Sequence, residues 1–260
     1  MTSIWVTGTF DNLQARDVRF LEEAARLGPL HVLLWNRQGT KFPLPERRYF
    51  LGALRCVRRV IEVAADPFLA GVPIVDSSVW VWPEWDASPE RDAFCVRNNI
   101  PYRVLSCEQM AGFPAAEPCL ARSGIKKVIV TGCFDYLHSG HVRFFEEASA
   151  YGDLYVVIGS DANVRLLKGE GHPLYSQEER RYLVGAIRFV CQALISTGSG
   201  WMDAAPEIER LRPDVYLVNE DGDKPEKRQF CLEQGLEYVV LQRNPAPGLP
   251  RRSSTNLRGF

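Results

Sequence analysis

Short apolar runs alternate with amphipathic stretches along the chain. Near its middle, Lys127-Val-Ile-Val-Thr131 is β-branched and apolar, and Val142-Arg-Phe-Phe-Glu-Glu-Ala-Ser-Ala-Tyr151 carries the spacing of a helix with one buried face. From there the pattern predicts strands over 127–131, 154–159, 193–195, 215–218 and 238–242. It predicts helices over 140–151, 161–167, 176–187, 202–211 and 225–234. Strands this short and apolar are expected where helices cover both faces of a sheet. Right-handed crossovers between them give an α/β fold, a doubly wound parallel sheet with its site at the strands' C-terminal ends.

The pattern occurs twice. Of the 16 positions from Phe10 to Ala25, nine are identical 124 residues later. Glu46-Arg-Arg-Tyr49 reappears as Glu179-Arg-Arg-Tyr182, and Val79 to Leu105 lies over Val215 to Leu241 with an offset of 136. Two tandem copies, 1–123 and 125–260, are expected, with a linker near Ser123-Gly124.

One stretch carries candidate chemistry. In Val130-Thr-Gly-Cys-Phe-Asp-Tyr-Leu-His-Ser-Gly-His141 a strand, a tight turn and a helix start follow one another, the arrangement that holds phosphate on unpaired backbone N–H groups. His138 and His141, at i and i+3, share a helix face there. Zinc is the competing reading of paired histidines. It needs a third ligand, and no Cys-x-x-Cys or His-Glu-x-x-His occurs. Cys133 lies in the turn as a nucleophile or a packing residue, and Thr9 at the matching place favours packing.

Thr131-Gly-Cys-Phe-Asp135 followed by His138-Ser-Gly-His141 resembles the signature of the cytidylyltransferase-like nucleotidyltransferase superfamily, through most of residues 125–260. The resemblance implies a Rossmann-like fold in each copy. It also implies transfer of a nucleoside monophosphate to a phosphorylated alcohol or sugar, with pyrophosphate released. His138, His141 and Lys168 are then the catalytic group. Thr131, Gly132, Cys133, Phe134 and Gly140 lie under the phosphates, with a second anion site at Arg251, Arg252, Ser253, Ser254 and Thr255. Asp135, Arg180, Asp221 and Asp223 are candidates for substrate contact. Asp11 and Arg47 keep two of these residues in the first copy, which fits a structural role equally well. The loop 219–226 has two readings, a pocket wall or a solvated loop. Mg²⁺ is expected on the triphosphate, held mainly by phosphate and water. CTP is the expected donor; ATP with a sugar phosphate is the alternative, and a non-catalytic nucleotide sensor is the alternative of another class.

The first copy departs at the same places. Gln14, Arg16 and Asp17 stand for His138, Gly140 and His141, and Pro114-Ala-Ala-Glu-Pro-Cys119 stands for Pro250-Arg-Arg-Ser-Ser-Thr255. It is expected to fold, to be inactive, and to stand in for a second subunit as an internal pseudo-dimer. The Trp80, Trp82, Trp85 cluster is read as packing, with a regulatory ligand site as the alternative. A net charge of −1 argues against a general nucleic-acid binder, and no apolar run is long enough for a membrane span. Seven irregularly spaced cysteines and an N-terminus without a secretory pattern fit a reduced, cytoplasmic setting. No Walker loop and no Gly-x-Gly-x-x-Gly is present.

Overall fold

The apolar runs form parallel strands, and the amphipathic stretches between them return the chain along the sheet faces. The computed structural model describes residues 2–70, 78–115, 119–120, 122–254 and 257. It divides into two units, Met1–Phe113 and Pro114–Phe260. The first contains β1 (Ser3–Gly8), α1 (Ala15–Ala25), β2 (Leu30–Trp35), α2 (Leu44–Ala53), β3 (Val57–Val63), α3 (Pro67–Ala70), β4 (Ser78–Pro83), α4 (Pro89–Arg97) and β5 (Tyr102–Leu105). Its strand order is β3-β2-β1-β4-β5.

The second unit begins with β6 (Lys127–Gly132), α5 (Ser139–Ser149), β7 (Asp153–Ile158), α6 (Asp161–Lys168) and α7 (Gln177–Gly185). It continues with β8 (Val190–Ile195), α8 (Ala205–Leu211), β9 (Val215–Asn219), α9 (Pro225–Gln234) and β10 (Glu237–Leu241). Its order, β10-β9-β6-β7-β8, is that of the first sheet read from its own first strand. Each unit is therefore a Rossmann-like α/β domain with a five-stranded parallel sheet. Val128, Ile129, Val130, Val156, Ile158 and Leu217 are buried on both sides, which is why these strands carry no polar alternation.

The order reverses at β6, whose neighbours β7 and β9 lead in opposite directions. At such a switch point the crossovers diverge and leave a crevice. Here β6 and β9 pair only at Val128–Val215 and Ile129–Tyr216, so the strands part before their C-terminal ends.

Two elements differ from expectation. β8 starts at Val190, and the helix expected over 202–211 is a 3₁₀ turn, Gly200–Met202, followed by α8. Pro206 lies in the first turn of α8, where its missing N–H breaks no helical bond. Cys119 and Cys191 form a disulfide with Cα atoms 5.5 Å apart, so reduced thiols throughout are not what the structure holds. The pairing joins positions 72 residues apart that no spacing rule connects. Among the described residues no helix is long and apolar enough to cross a membrane.

Candidate active site

β6 runs into a turn held in an unusual backbone shape. Phe134 sits at φ 48°, the left-handed region that non-glycine residues rarely take. Its ring lies so close to Gly132 that a Cβ there would stand 2.8 Å from a ring carbon. Phe10 repeats the conformation at φ 43° against Gly8. The turn thus persists in the half that lacks the histidines and belongs to the fold as much as to any chemistry.

Two polar locks hold the turn. Asp135 Oδ1 accepts from the amides of Leu174 (2.7 Å) and Tyr175 (3.1 Å), tying the turn to the loop before α7. Arg180 is buried and donates to the carbonyls of Tyr175, Cys133 and Gly159 and to Asp161 Oδ1, at 2.7–3.0 Å. The first unit repeats both. Asp11 accepts from Lys41 and Phe42, and Arg47 donates to the Phe42, Thr9 and Trp35 carbonyls and to Asn36. Arg180, expected at substrate, is instead an internal brace with its side chain 1% exposed. Asp135 does reach the cavity wall, but as the anchor of the loop.

α5 opens on His138, the N-cap residue. Its Nδ1 accepts from the Gly140 amide at 3.1 Å, which puts the ring proton on Nε2. Gly140 permits this, because a Cβ there would meet the His138 ring at 3.0 Å. The rings of His138 and His141 stack with centroids 3.9 Å apart. Burial, with Arg243 and Arg252 nearby, pushes His138 down to about 3. Burial, His138, Arg243 and Lys168 likewise hold His141 well below the ordinary imidazole value. Both rings are neutral at pH 7. His138 Nε2 and His141 Nδ1 are shielded from solvent and have no hydrogen-bond partner among the described residues.

A cavity of about 550 Å³ opens at this edge of the sheet. Its wall includes Thr131, Gly132, Cys133, Phe134, Asp135, Gly140, His141, Lys168, Asp221 and Ser254. His138 lies one layer behind His141, only 2% exposed. Arg251 and Arg252 line a smaller adjoining cleft that shares Gly140, Asn219 and Arg243 with the main cavity. Arg251 donates to Glu220 at 3.0 Å, and the Arg252 carbonyl accepts from Arg243 at 2.8 Å. The Ser253 carbonyl accepts from the Leu257 amide; Thr255 lies outside the described residues. Asp223 does not join the cavity. It is bound to Arg228 and to the Tyr238 hydroxyl, an anchor for the start of α9 rather than a substrate contact.

Two cationic wall residues went unread in the sequence. Arg243, just past β10, donates to Asp221 at 2.7 Å and to the tail. The comparison of halves flags it, because Cys107 is its counterpart at the offset of 136. Lys227, in the first turn of α9, faces the same cavity. Its counterpart is Arg91, so the comparison is silent there.

The family model described as "Cytidylyltransferase-like" matches residues 129–258, half of the chain. Among curated proteins, the FAD synthase of Ferroglobus placidus is 39% identical over 121 residues, covering 45% of this chain and 76% of that protein. The FAD synthase of Methanocella paludicola is 30% identical over 135 residues, covering 51% and 93%. The bifunctional protein HldE of Campylobacter curvus is 37% identical over 127 residues, covering 48% of this chain. This chain spans about a quarter of the length of the HldE proteins it matches. With the paired histidines at a helix start over the crevice of a parallel sheet, these matches place the chain in the cytidylyltransferase-like family of nucleotidyltransferases.

Proposed function

We propose that the second domain transfers a nucleoside monophosphate from a nucleoside triphosphate to a phosphorylated small molecule. The observation that carries this is the pair of buried ring nitrogens, His138 Nε2 and His141 Nδ1, without partners among the described residues and beside a cationic cavity. Buried polar atoms are almost always satisfied, and the oxygens of a triphosphate supply an acceptor for His138 Nε2–H and for whichever His141 nitrogen carries the proton.

A phosphate oxygen of the acceptor attacks the α-phosphorus. A new P–O bond forms, the bond to the β-phosphate bridging oxygen breaks, and pyrophosphate leaves with the electron pair. The nucleophile is already anionic, so no strong base is required, and catalysis rests on position and electrostatics. His141 donates from the cavity wall. His138 donates from behind it, with its tautomer set by Gly140. Lys168, Arg243 and the tail arginines gather the anions. A Mg²⁺ would be carried mainly by phosphate oxygens and water, the ordinary arrangement for this ion on a triphosphate.

The names of the FAD synthase relatives favour ATP as donor, since FAD contains an adenylate. The family's own name favours CTP. The first domain, with Gln14, Arg16 and Asp17 at the histidine positions, serves as a non-catalytic partner of the second, and the two copies arose by duplication. The test is pyrophosphate release with Mg²⁺, pairing CTP or ATP with a panel of phosphorylated alcohols, sugars and FMN. Release with one nucleotide names the donor. His138→Ala and His141→Ala should each lower kcat by about 10²–10³. Nucleotide binding with no release under any pairing would favour the sensor reading.

A further inference from the structure

The reaction as described uses one side of the cleft and leaves the other unassigned. From β6 the chain moves through α5 to β7 and on to β8, then returns through α8 to β9 and through α9 to β10. With right-handed crossovers, that reversal puts α5 on one face of the sheet and α8 and α9 on the other. The packing agrees, because Ile129, Tyr216 and Val218 cluster with Ala204, Ile208 and Cys231. Thr131, two residues beyond Ile129, points to the same face. The cavity therefore crosses the sheet edge, with the histidines on one side and Thr131 and Lys227 on the other, and Tyr216 buried behind Thr131.

These three residues make a small polar apparatus. The hydroxyls of Thr131 and Tyr216 are 2.8 Å apart. Two hydroxyls that share one hydrogen bond leave one O–H to donate elsewhere. Lys227 lines the cavity with its Nζ 6.0 Å from the Tyr216 ring centroid. Burial, with Lys224 nearby, lowers its pKa, against the opposing pull of Asp203, Cys231 and Asp221. At the aligned positions the first domain keeps Thr7 for Thr131 and a cation, Arg91, for Lys227, but it lacks the hydroxyl pair. Arg91 is engaged by Asp86 and Asp66. Trp80 replaces Tyr216, and its ring packs 4.9 Å from that of Phe68.

We propose that Lys227, with the Thr131–Tyr216 hydroxyl pair, binds the phosphate of the acceptor, which enters from the α8 and α9 side. The proposal rests on the nucleotidyl-transfer reading. In-line displacement places the attacking and leaving oxygens on opposite sides of the α-phosphorus. A cleft with donors on both faces of the sheet meets that demand, with the triphosphate on the histidine side. Lys227 supplies a compact charge that can follow a phosphate as it attacks.

The test is trace acetylation of the full-length protein, read lysine by lysine by mass spectrometry. A non-hydrolysable triphosphate analogue alone should slow labelling of Lys168 by about tenfold at saturation and leave Lys227 reactive. Adding inorganic phosphate to that complex should then slow labelling of Lys227. In turnover, Lys227→Met should raise the acceptor KM about 10- to 100-fold, the range of a charge-assisted hydrogen bond, and leave the triphosphate KM within about twofold. Protection of Lys168 with Lys227 unprotected by phosphate, or an equal rise in both KM values, overturns the acceptor subsite alone. If the analogue protects neither lysine, the nucleotidyl-transfer reading falls and this proposal falls with it.

Discussion

His138 is a neutral donor held ready for anions. Its value near 3 reflects burial and the charges of Arg243 and Arg252, both of which a bound triphosphate would offset. In the empty protein, NMR of the imidazole should show a neutral ring from pH 8 down to about 4. Adding triphosphate should raise its pKa and draw a proton from buffer near pH 6; an unchanged titration would mean that the phosphates do not reach it. The sign for stability follows. The unfolded chain binds this proton near 6.5 and the folded chain near 3, so the stability from the neutral ring is complete above about pH 6.5 and declines as pH falls from there towards 3. The histidine pair was readable from its spacing. Its neutrality was not, because it comes first from burial in the folded chain and then from arginines about a hundred residues further along. Lys227 was harder still. Its alignment with Arg91 preserves the charge, and only the ion pairs around Arg91 show that the two residues do different things.

The turn after β6 and the brace behind it form a unit used twice. Arg180 satisfies four acceptors from inside the protein, three of them backbone carbonyls around the turn. Arg180→Met should destabilise the second domain by about 3–5 kcal/mol in chemical denaturation, as loss of one partner of a buried charged network does. Arg47→Met should do the same to the first domain without changing either substrate KM. If Arg180→Met lost only substrate affinity and kept full stability, the brace assignment would be wrong. The retention of Asp11 and Arg47 already hinted at this from sequence. The strands were legible to within a few residues because fully buried strands must be apolar runs. The break before α8 was not, because apolar spacing continues across a proline that the structure uses as a helix start.

The two domains share one strand order, which the repeated blocks made legible in advance. The Cys119–Cys191 bond was not legible, since it depends on where the segment after the first domain runs beside β8. A 72-residue separation makes loop closure a substantial constraint on the unfolded chain. Cys191→Ser, or reduction, should lower the stability of the second domain by about 2–4 kcal/mol. A melting temperature that is the same with and without dithiothreitol would show that the bond contributes nothing. The overall charge excluded classes of partner but carried no information about the acceptor. That choice rests on Lys227, Thr131 and Tyr216, which meet only when strands and helices from different parts of the second half are folded together.

Phe10 and Phe134 hold the same left-handed turn, one with the paired histidines behind it and one without. The backbone of the first domain is thus a vacant socket, already shaped for a graft. Gln14→His, Arg16→Gly and Asp17→His introduced together would meet a turn that needs no remodelling. Such a chain should bind two triphosphates by equilibrium dialysis where the parent binds one. The second would be held weakly and left unreacted, because Cys107 and Ala115 stand where Arg243 and Arg251 would be needed.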